Sequence, residues 1–263
     1  MMISPTNLLT TSPMTQLIAY VVFAFGFTWA LHLQIARQSL SIEKGRGCAL
    51  YWLGLPGPTL AAVAVACASG STNQLARGIL HWPIGIQWWL LAIFTIPAIY
   101  LAGAGIHSWR QVARPTGIFR RPRQRWLALL MGQLYVVSSE EVGWRGFALP
   151  LLVRMLGSVG GTVAVGLVWA LWHLPMFQVP TSHQKGAFWH YAYSLIAWSA
   201  IMTVLVTGSG SILPAMAFHA AANISSFVMD VPPEAERYIT VLLGLVSLLL
   251  IPLLPSPLLT INP

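Results

Sequence analysis

The stretch LYVVSSEEVGWRGFALP, which runs from Leu134 to Pro150, places charged side chains inside a long apolar segment. About 20 consecutive apolar residues in a helix cross the ~30 Å hydrocarbon core of a bilayer, and the segment around this stretch is long enough to do so. A charged side chain near the bilayer centre costs about 3 kcal/mol on insertion scales. Glu140 and Glu141 therefore need partners that offset this cost, and they are the first candidates for a functional role.

The composition of the whole chain favours lipid as its solvent. Of its 263 residues, 56% are hydrophobic and 8% are charged, whereas a soluble domain carries about 25% charged residues. The apolar runs are continuous rather than alternating, which is typical of membrane helices and not of barrel strands. We therefore predict an all-α, polytopic transmembrane helical bundle that forms a single integral membrane domain over residues 1–263.

We predict eight membrane spans, because eight apolar runs approach the length that a bilayer requires. Their boundaries are residues 15–36, 49–69, 86–106, 126–146, 159–178, 188–207, 211–229 and 237–256. Most of these spans are purely apolar. Those that carry ionisable or amide side chains at depth define a motif-bearing core over about 126–229.

The basic residues predict the orientation of the bundle. Eight spans place eleven Lys and Arg residues, six of them in loop 107–125, in four loops on one side, against Arg77 and Arg154 on the other. Because cytoplasmic loops carry the excess of basic residues, we expect these loops in the cytoplasm and both termini outside. This bias also accounts for the net charge of +8 without nucleic acid binding. The expected location is the plasma membrane of a bacterium or an archaeon.

Helical spacing separates the two glutamates of the fourth span. Glu141 and Arg145 are four residues apart, so they share a helix face and can form an ion pair. Glu140 points about 100° away from Glu141 and is left outside that pair. The sequence therefore predicts that Glu141 and Arg145 support the structure of the site and that Glu140 is available for chemistry.

Further polar residues lie in the fifth and seventh spans. His173 follows Trp169 by four residues, and His219 precedes Asn223 by four, so each couple shares one helix face. Taken singly, a membrane His or Asn is more often an interhelical hydrogen-bonding residue. Several polar groups at similar depth on three helices instead favour a common site. The remaining histidines lie near span ends or in loops and are predicted to be interfacial: His32, His81, His107, His183 and His190.

This set of side chains fits water attack on an amide. A buried carboxylate can take a proton from water, and a neighbouring His can orient that water. A second His and an Asn can donate hydrogen bonds to the oxyanion that forms as the carbonyl becomes tetrahedral. Two His and one Glu also make a catalytic zinc set. Because the local HExxH signature is absent, a metal-dependent enzyme is the weaker alternative, and we expect no cofactor.

Three short motifs in this order resemble those of the CPBP family, which comprises CAAX proteases and bacteriocin-processing (Abi) intramembrane endopeptidases. Glu140 to Arg145 match its EExxxR motif. Trp169 to His173 resemble FxxxH, with Trp in the place of Phe, and His219 to Asn223 resemble HxxxN. Each motif is weak alone, whereas the ordered trio on separate spans is specific.

The resemblance implies an intramembrane glutamic endopeptidase that hydrolyses a peptide bond of a membrane-associated substrate, with prenylated CaaX proteins among the candidates. It assigns water activation to Glu140 with His173, the oxyanion site to His219 and Asn223, and support to Glu141 and Arg145. The expected partners are membrane lipid and a peptide or lipidated protein. Two alternatives stay open: a non-proteolytic immunity or regulatory protein of the same fold, and an ion-coupled transporter.

Overall fold

The computed structural model describes residues 12–110, 126–182, 187–229 and 231–254, and its regular elements are helices. The predicted all-α bundle is thereby confirmed. The α-helices are α1 Pro13–Arg37, α2 Gly45–Gly54, α3 Gly57–Ser69, α4 Thr72–Leu80, α5 Ile86–Arg110, α6 Trp126–Gly143, α7 Leu149–Trp172, α8 Phe188–Ser209, α9 Leu213–Val228 and α10 Glu236–Leu250. A π-helical turn, Trp144–Ala148, joins α6 to α7.

Six helical segments of the described chain are long and apolar enough to cross a membrane. One of them, Trp126–Gln178, has 53 residues and contains both the fourth and the fifth predicted spans. The seventh predicted span corresponds to α9, which has 16 residues and is shorter than a full crossing requires. The structure therefore supports a polytopic bundle, while the count of eight stays a prediction.

The chain reverses direction at Gly157, between the fourth and fifth spans. This glycine has φ 73° and ψ 171°, a conformation that residues with a Cβ rarely adopt. A Cβ on Gly161 would lie 2.6 Å from the backbone nitrogen of Val153, although eight residues of straight helix would separate these positions by about 12 Å. The two halves of α7 therefore form a tight helical hairpin, and the fourth span extends to the turn at Gly157. Glu140 consequently lies near the middle of that span rather than towards its end.

The second span is broken between α2 and α3, and α1 packs on the break. The Thr28 hydroxyl donates to the carbonyl of Gly54 at 2.7 Å, which satisfies a backbone acceptor at the helix end. His32 stacks on Tyr51 with a ring distance of 5.6 Å and is 2% exposed. His32, which is predicted to be interfacial, is buried within the bundle, because Gly54 has no Cβ and leaves room for the imidazole.

The described loops separate into two ends of the bundle. Three contacts join loops or adjoining helix ends that were predicted to be cytoplasmic: Ile42 N–H to Thr181 Oγ1 at 3.0 Å, Arg110 Nη1 to Tyr238 Oη at 3.5 Å, and His190 Nε2 to Glu236 Oε1 at 3.9 Å. At the other end, the Ser211 hydroxyl donates to the carbonyl of Gly78 at 3.2 Å. Arg110 is the one arginine of loop 107–125 within the described residues, and Lys185 lies outside them. Which end faces the cytoplasm stays a prediction.

Small residues let the helices around α6 approach closely. A Cβ on Gly143 would lie 2.6 Å from the backbone of Pro58, so α3 rests directly on the end of α6. A Cβ on Gly166 would lie 2.6 Å from the Cα of Ile196, so α7 and α8 are in similar contact. Close approach through glycine is typical of membrane helix packing. It brings polar side chains of α6, α7, α8 and α9 within hydrogen-bonding distance of one another.

Candidate active site

The π-helical turn follows the two glutamates directly and contains Arg145. Pro150 is the second residue of the next helix, where it lacks the amide hydrogen that would bond the carbonyl of Gly146 and its ring crowds that carbonyl. The local register therefore widens to i→i+5, and the Leu149 N–H bonds the carbonyl of Trp144. Such π turns are frequent at functional sites. Here the turn keeps Arg145 directed into the bundle, where it is 1% exposed.

A hydroxyl on α3 supports the backbone just before the glutamates. The Thr59 Oγ1–H is shared between the carbonyls of Ser138 and Ser139, at 2.8 and 2.9 Å. The neighbouring contact of Gly143 with Pro58 holds the same part of α6 from the next turn. Contacts with α3 therefore hold the backbone of α6 both before and after Glu140 and Glu141 in the chain.

Glu141 and Arg145 form the ion pair that their spacing predicts. Arg145 Nη1 lies 3.1 Å from Oε2 and 3.3 Å from Oε1 of Glu141, with its N–H directed at Oε1. Both side chains are inaccessible to solvent. Arg145 Nη2 also donates to Ser199 Oγ at 2.9 Å, so α8 takes part in holding the guanidinium. Sequence spacing did not identify Ser199, because nothing local distinguishes one membrane serine from another.

His219 contacts Glu141 as well. Its Nδ1 lies 2.7 Å from Oε1 of Glu141, and the imidazole is 4% exposed. An ionised carboxylate can only accept, so Nδ1 carries a hydrogen and Nε2 is left for another partner. Glu141 therefore bridges Arg145 and His219, and the histidine of the third motif, on α9, is oriented by the first motif, on α6.

Glu140 lies outside this ion-pair group but has a partner of its own. Trp169 Nε1–H donates to Oε2 of Glu140 at 2.7 Å, across from α7. Glu140 is 2% exposed, and within the described residues no hydrogen bond engages its Oε1. The sequence predicted that Glu140 lies outside the ion pair and placed Trp169 on the helix face of His173. The structure also makes the Trp169 indole a hydrogen-bond donor to Glu140.

His173 is half-buried at the end of α7, and its neighbours define its tautomer. Nδ1 lies 2.9 Å from the carbonyl oxygen of Trp169. Because a carbonyl only accepts, Nδ1 carries the hydrogen and Nε2 presents a lone pair. The rings of Trp172 and Tyr191 flank the imidazole edge-on, at 4.7 and 5.3 Å between ring centres. His173 is therefore arranged to accept a hydrogen bond from water at Nε2.

Asn223 has a partner that the sequence did not identify. Its Nδ2 donates to Oε1 of Gln133 on α6 at 2.9 Å. Gln133 precedes Glu140 by seven residues, two turns along the same helix face, so spacing alone would have indicated it. His219 and Asn223 thus contact different residues of α6, one turn apart on α9. The side chains of His219 and Asn223, which are predicted to form the oxyanion site, make no described hydrogen bond with each other.

The part of the chain that the structure describes contains no preformed set of zinc ligands. No three His, Cys, Asp or Glu side chains there converge closely enough to hold a metal ion. Glu141 already uses Oε1 on His219, and the Nδ1 of His173 is used on a carbonyl. These contacts leave Nε2 of His173 available as a ligand, so the metal-free site stays a prediction.

The fold and the site define a polytopic membrane protein with a buried glutamate, histidine and arginine centre. Comparison with known protein families shows which class of protein this part of the chain resembles. Residues 122–225 match the model of the Rce1-like family, described as type II CAAX prenyl endopeptidase. The resemblance to the CPBP, or CAAX protease, family that the three motifs predict is thereby confirmed.

A curated protein is similar to part of the chain. It is "CAAX prenyl protease 2" of Methanococcus maripaludis, 27% identical over 122 residues, which cover 43% of this chain. The match spans 45% of that relative's own length. The family match, at residues 122–225, covers most of the motif-bearing core.

Proposed function

We propose that the protein is an intramembrane endopeptidase that uses a glutamate-activated water. The observation that carries this proposal is the difference between the two adjacent carboxylates. Glu141 is committed to Arg145 and His219, whereas Glu140 has one oxygen held by Trp169 and the other outside any described hydrogen bond. A carboxylate held at one oxygen and open at the other suits a general base.

The proposed reaction begins with a water between Glu140 and His173. Oε1 of Glu140 takes one proton from this water, while the other O–H stays intact and donates a hydrogen bond to Nε2 of His173. The water oxygen forms a bond to the carbonyl carbon of the substrate, and the carbonyl π electrons move onto oxygen. When the C–N bond breaks, the proton held by Glu140 passes to the leaving nitrogen. The products are a carboxylic acid and an amine, and no covalent enzyme intermediate forms.

Charge balance supports a role for His219 as oxyanion donor. Its Nδ1 already donates to Glu141, so Nε2 carries a hydrogen only in the imidazolium form. Two carboxylates opposite the Arg145 guanidinium leave one excess negative charge, which an imidazolium would offset. Asn223, held by Gln133, retains its other amide hydrogen and adds a neutral donor one turn away. Preorganised donors of this kind contribute about 3 to 4 kcal/mol to catalysis.

The half-buried members of the site indicate the side from which a substrate enters. His173 and Asn223 are the less buried residues, and both lie towards the end of the bundle that carries the described basic loops. Gln133, which binds Asn223, is also on that side of Glu140. We infer a membrane-associated peptide that enters from the predicted cytoplasmic side. A prenylated C-terminal CaaX peptide is the first substrate to test, since the related archaeal protein is named a CAAX prenyl protease.

The test is hydrolysis of a fluorogenic peptide by the purified protein in nanodiscs. A prenylated CaaX peptide and its unprenylated twin separate the reaction from its lipid requirement. Glu140→Gln should abolish cleavage, and Glu43→Gln, which changes an exposed carboxylate on a loop, should not. Cleavage by Glu140→Gln at the wild-type rate would overturn the proposal.

The two other functions make different predictions for the same variants. An immunity or regulatory protein would keep its cellular phenotype in Glu140→Ala while no peptide is cleaved. An ion-coupled transporter would show flux in proteoliposomes that Glu140→Gln abolishes.

A further inference from the structure

One indole, that of Trp169, contacts three charged or ionisable motif residues on other elements of the bundle. Its Nε1–H bonds Oε2 of Glu140 at 2.7 Å, while the guanidinium carbon of Arg145 lies 4.2 Å from the ring centre. The His219 ring stands edge-on to it, at 5.2 Å between centres and an interplanar angle of 72°. Trp169 is 1% exposed, so all these contacts are made out of solvent.

The electrostatics of the indole match this arrangement. An aromatic ring is negative on its face and positive at its edge, and the Trp edge also carries a hydrogen-bond donor. The cation Arg145 lies over the face, and the carboxylate of Glu140 lies at the N–H. Among the described residues, Arg145 has an ion pair within 4.0 Å with Glu141 and none with Glu140. The ring therefore lies where it stabilises both charges and keeps them apart.

We propose that Trp169 is a positioning residue that gives the two adjacent glutamates their different roles. It holds Oε2 of Glu140 through the indole N–H, leaves Oε1 to the water, and keeps Arg145 on Glu141. This inference rests on the proposed function. The Phe of the FxxxH pattern has a face but no donor, so this chain has a hydrogen bond to the base that a Phe at this position cannot make.

Two other tryptophans show that burial alone does not account for this contact. Trp144 and Trp172 are as buried as Trp169, at 0% and 1% exposure, and the indole nitrogen of each makes no hydrogen bond within the described residues. A buried tryptophan in the described part of this bundle therefore does not always have a hydrogen-bond partner for its N–H. Trp144 also supplies a matched control, because Trp144→Phe removes the same atoms from an equally buried site without touching Glu140.

The experiment compares Trp169→Phe with Trp144→Phe in cleavage of the prenylated peptide. Loss of a hydrogen bond to a charged group should lower kcat of Trp169→Phe by roughly 10- to 100-fold. Its KM should stay within about threefold, because the indole contacts the base and not the substrate. Trp144→Phe should retain kcat within about threefold, and thermal unfolding of both variants measures any loss of fold.

Ultraviolet resonance Raman spectroscopy tests the contact without reference to activity. The wild-type minus Trp169→Phe difference spectrum should show an indole N–H marker band typical of a strong hydrogen bond. The same difference taken in a Glu140→Leu background should show a weakly bonded indole, since Leu accepts nothing. A Trp169→Phe variant with wild-type kcat, or a kcat loss equal to that of Trp144→Phe, would overturn the positioning role.

The two proposals fail in distinguishable ways. If the wild-type protein cleaves neither peptide, the protease function fails and the positioning role fails with it, although the Raman band still reports whether the contact exists. If the wild type cleaves and Trp169→Phe keeps its kcat, only the positioning role fails.

Discussion

The two sides of α6 around residues 140 and 141 differ sharply, although the glutamates are neighbours in the chain. On one side, Glu141 bridges a guanidinium and an imidazole, and Ser199 completes the shell of that guanidinium. On the other side, Glu140 has one described donor, and the residues beyond it are half-buried. A rotation of about 100° between successive residues is enough to separate a supporting environment from a reactive one.

The largest expected effect is the loss of kcat when the base on the reactive side, Glu140, is replaced. Glu140→Gln keeps an acceptor for Trp169 but removes the base, so kcat should fall by about 10³-fold or more, at the upper part of the range for general-base catalysis. The unfolding temperature should stay close to that of the wild type. Peptide cleavage and thermal unfolding in detergent measure the two, and a large loss of stability would mean that Glu140 is a structural residue.

The supporting side should respond in the opposite way, through stability. Arg145→Met leaves the carboxylate of Glu141 buried without its cation, and breaking a buried pair in this way costs about 3 to 5 kcal/mol. The double variant Glu141→Gln/Arg145→Met should recover part of that stability and none of the activity. Arg154→Met, at an exposed arginine of the same span, is the control for thermal unfolding. Equal stabilities of Arg145→Met and Arg154→Met would contradict the comparison.

Substitutions at the proposed oxyanion donor Asn223 and at its partner Gln133 test the reactive side further. Asn223→Ala should lower kcat by roughly 10²-fold, the loss typical of removing one such donor. Gln133→Ala leaves Asn223 in place but unoriented, so its effect should be smaller, at about 10-fold or less. A Gln133→Ala loss as large as that of Asn223→Ala would show that Gln133 itself acts on the substrate.

A smaller effect is expected at the edge of the supporting side. Ser199→Ala removes one hydrogen bond to Arg145 and should cost about 1 to 2 kcal/mol of stability. Activity should change little, because the Glu141 pair remains. Ser194→Ala, on a part of α8 where the hydroxyl bonds its own helix, is the matched control in thermal unfolding.

The smallest effect should come from metal removal. Because the chemistry is assigned to Glu140 and His173, treatment with a chelator should leave kcat within about twofold of the untreated value. Metal analysis of the treated protein checks that no metal remains. Stoichiometric metal, together with activity lost on chelation and restored by zinc, would contradict the metal-free mechanism.

Part of this site follows from local spacing and part does not. The Glu141–Arg145 pair lies within one helix, where a separation of four residues predicts the contact. The partners of Glu140, His219 and Asn223 lie on other helices. Their identity depends on how α6, α7 and α9 pack. The broken second span, which buries His32, has the same origin, since a hydropathy run shows length but not a break within it.

By itself, the sequence determined the solvent, the helical class, the resemblance to a known family and the residue types of the site, because each of these depends on composition or on spacing within a single helix. Only the tertiary structure decided which partner a polar group has on another helix. Close glycine contacts place α3 on α6 and α7 on α8, the turn at Gly157 reverses α7 so that Trp169 reaches Glu140, and the π turn directs Arg145 inward. Contacts between helices depend on these approaches, which a linear pattern does not contain. For that reason Trp169 reads as an aromatic neighbour in the sequence and is a hydrogen-bond donor to Glu140 in the fold.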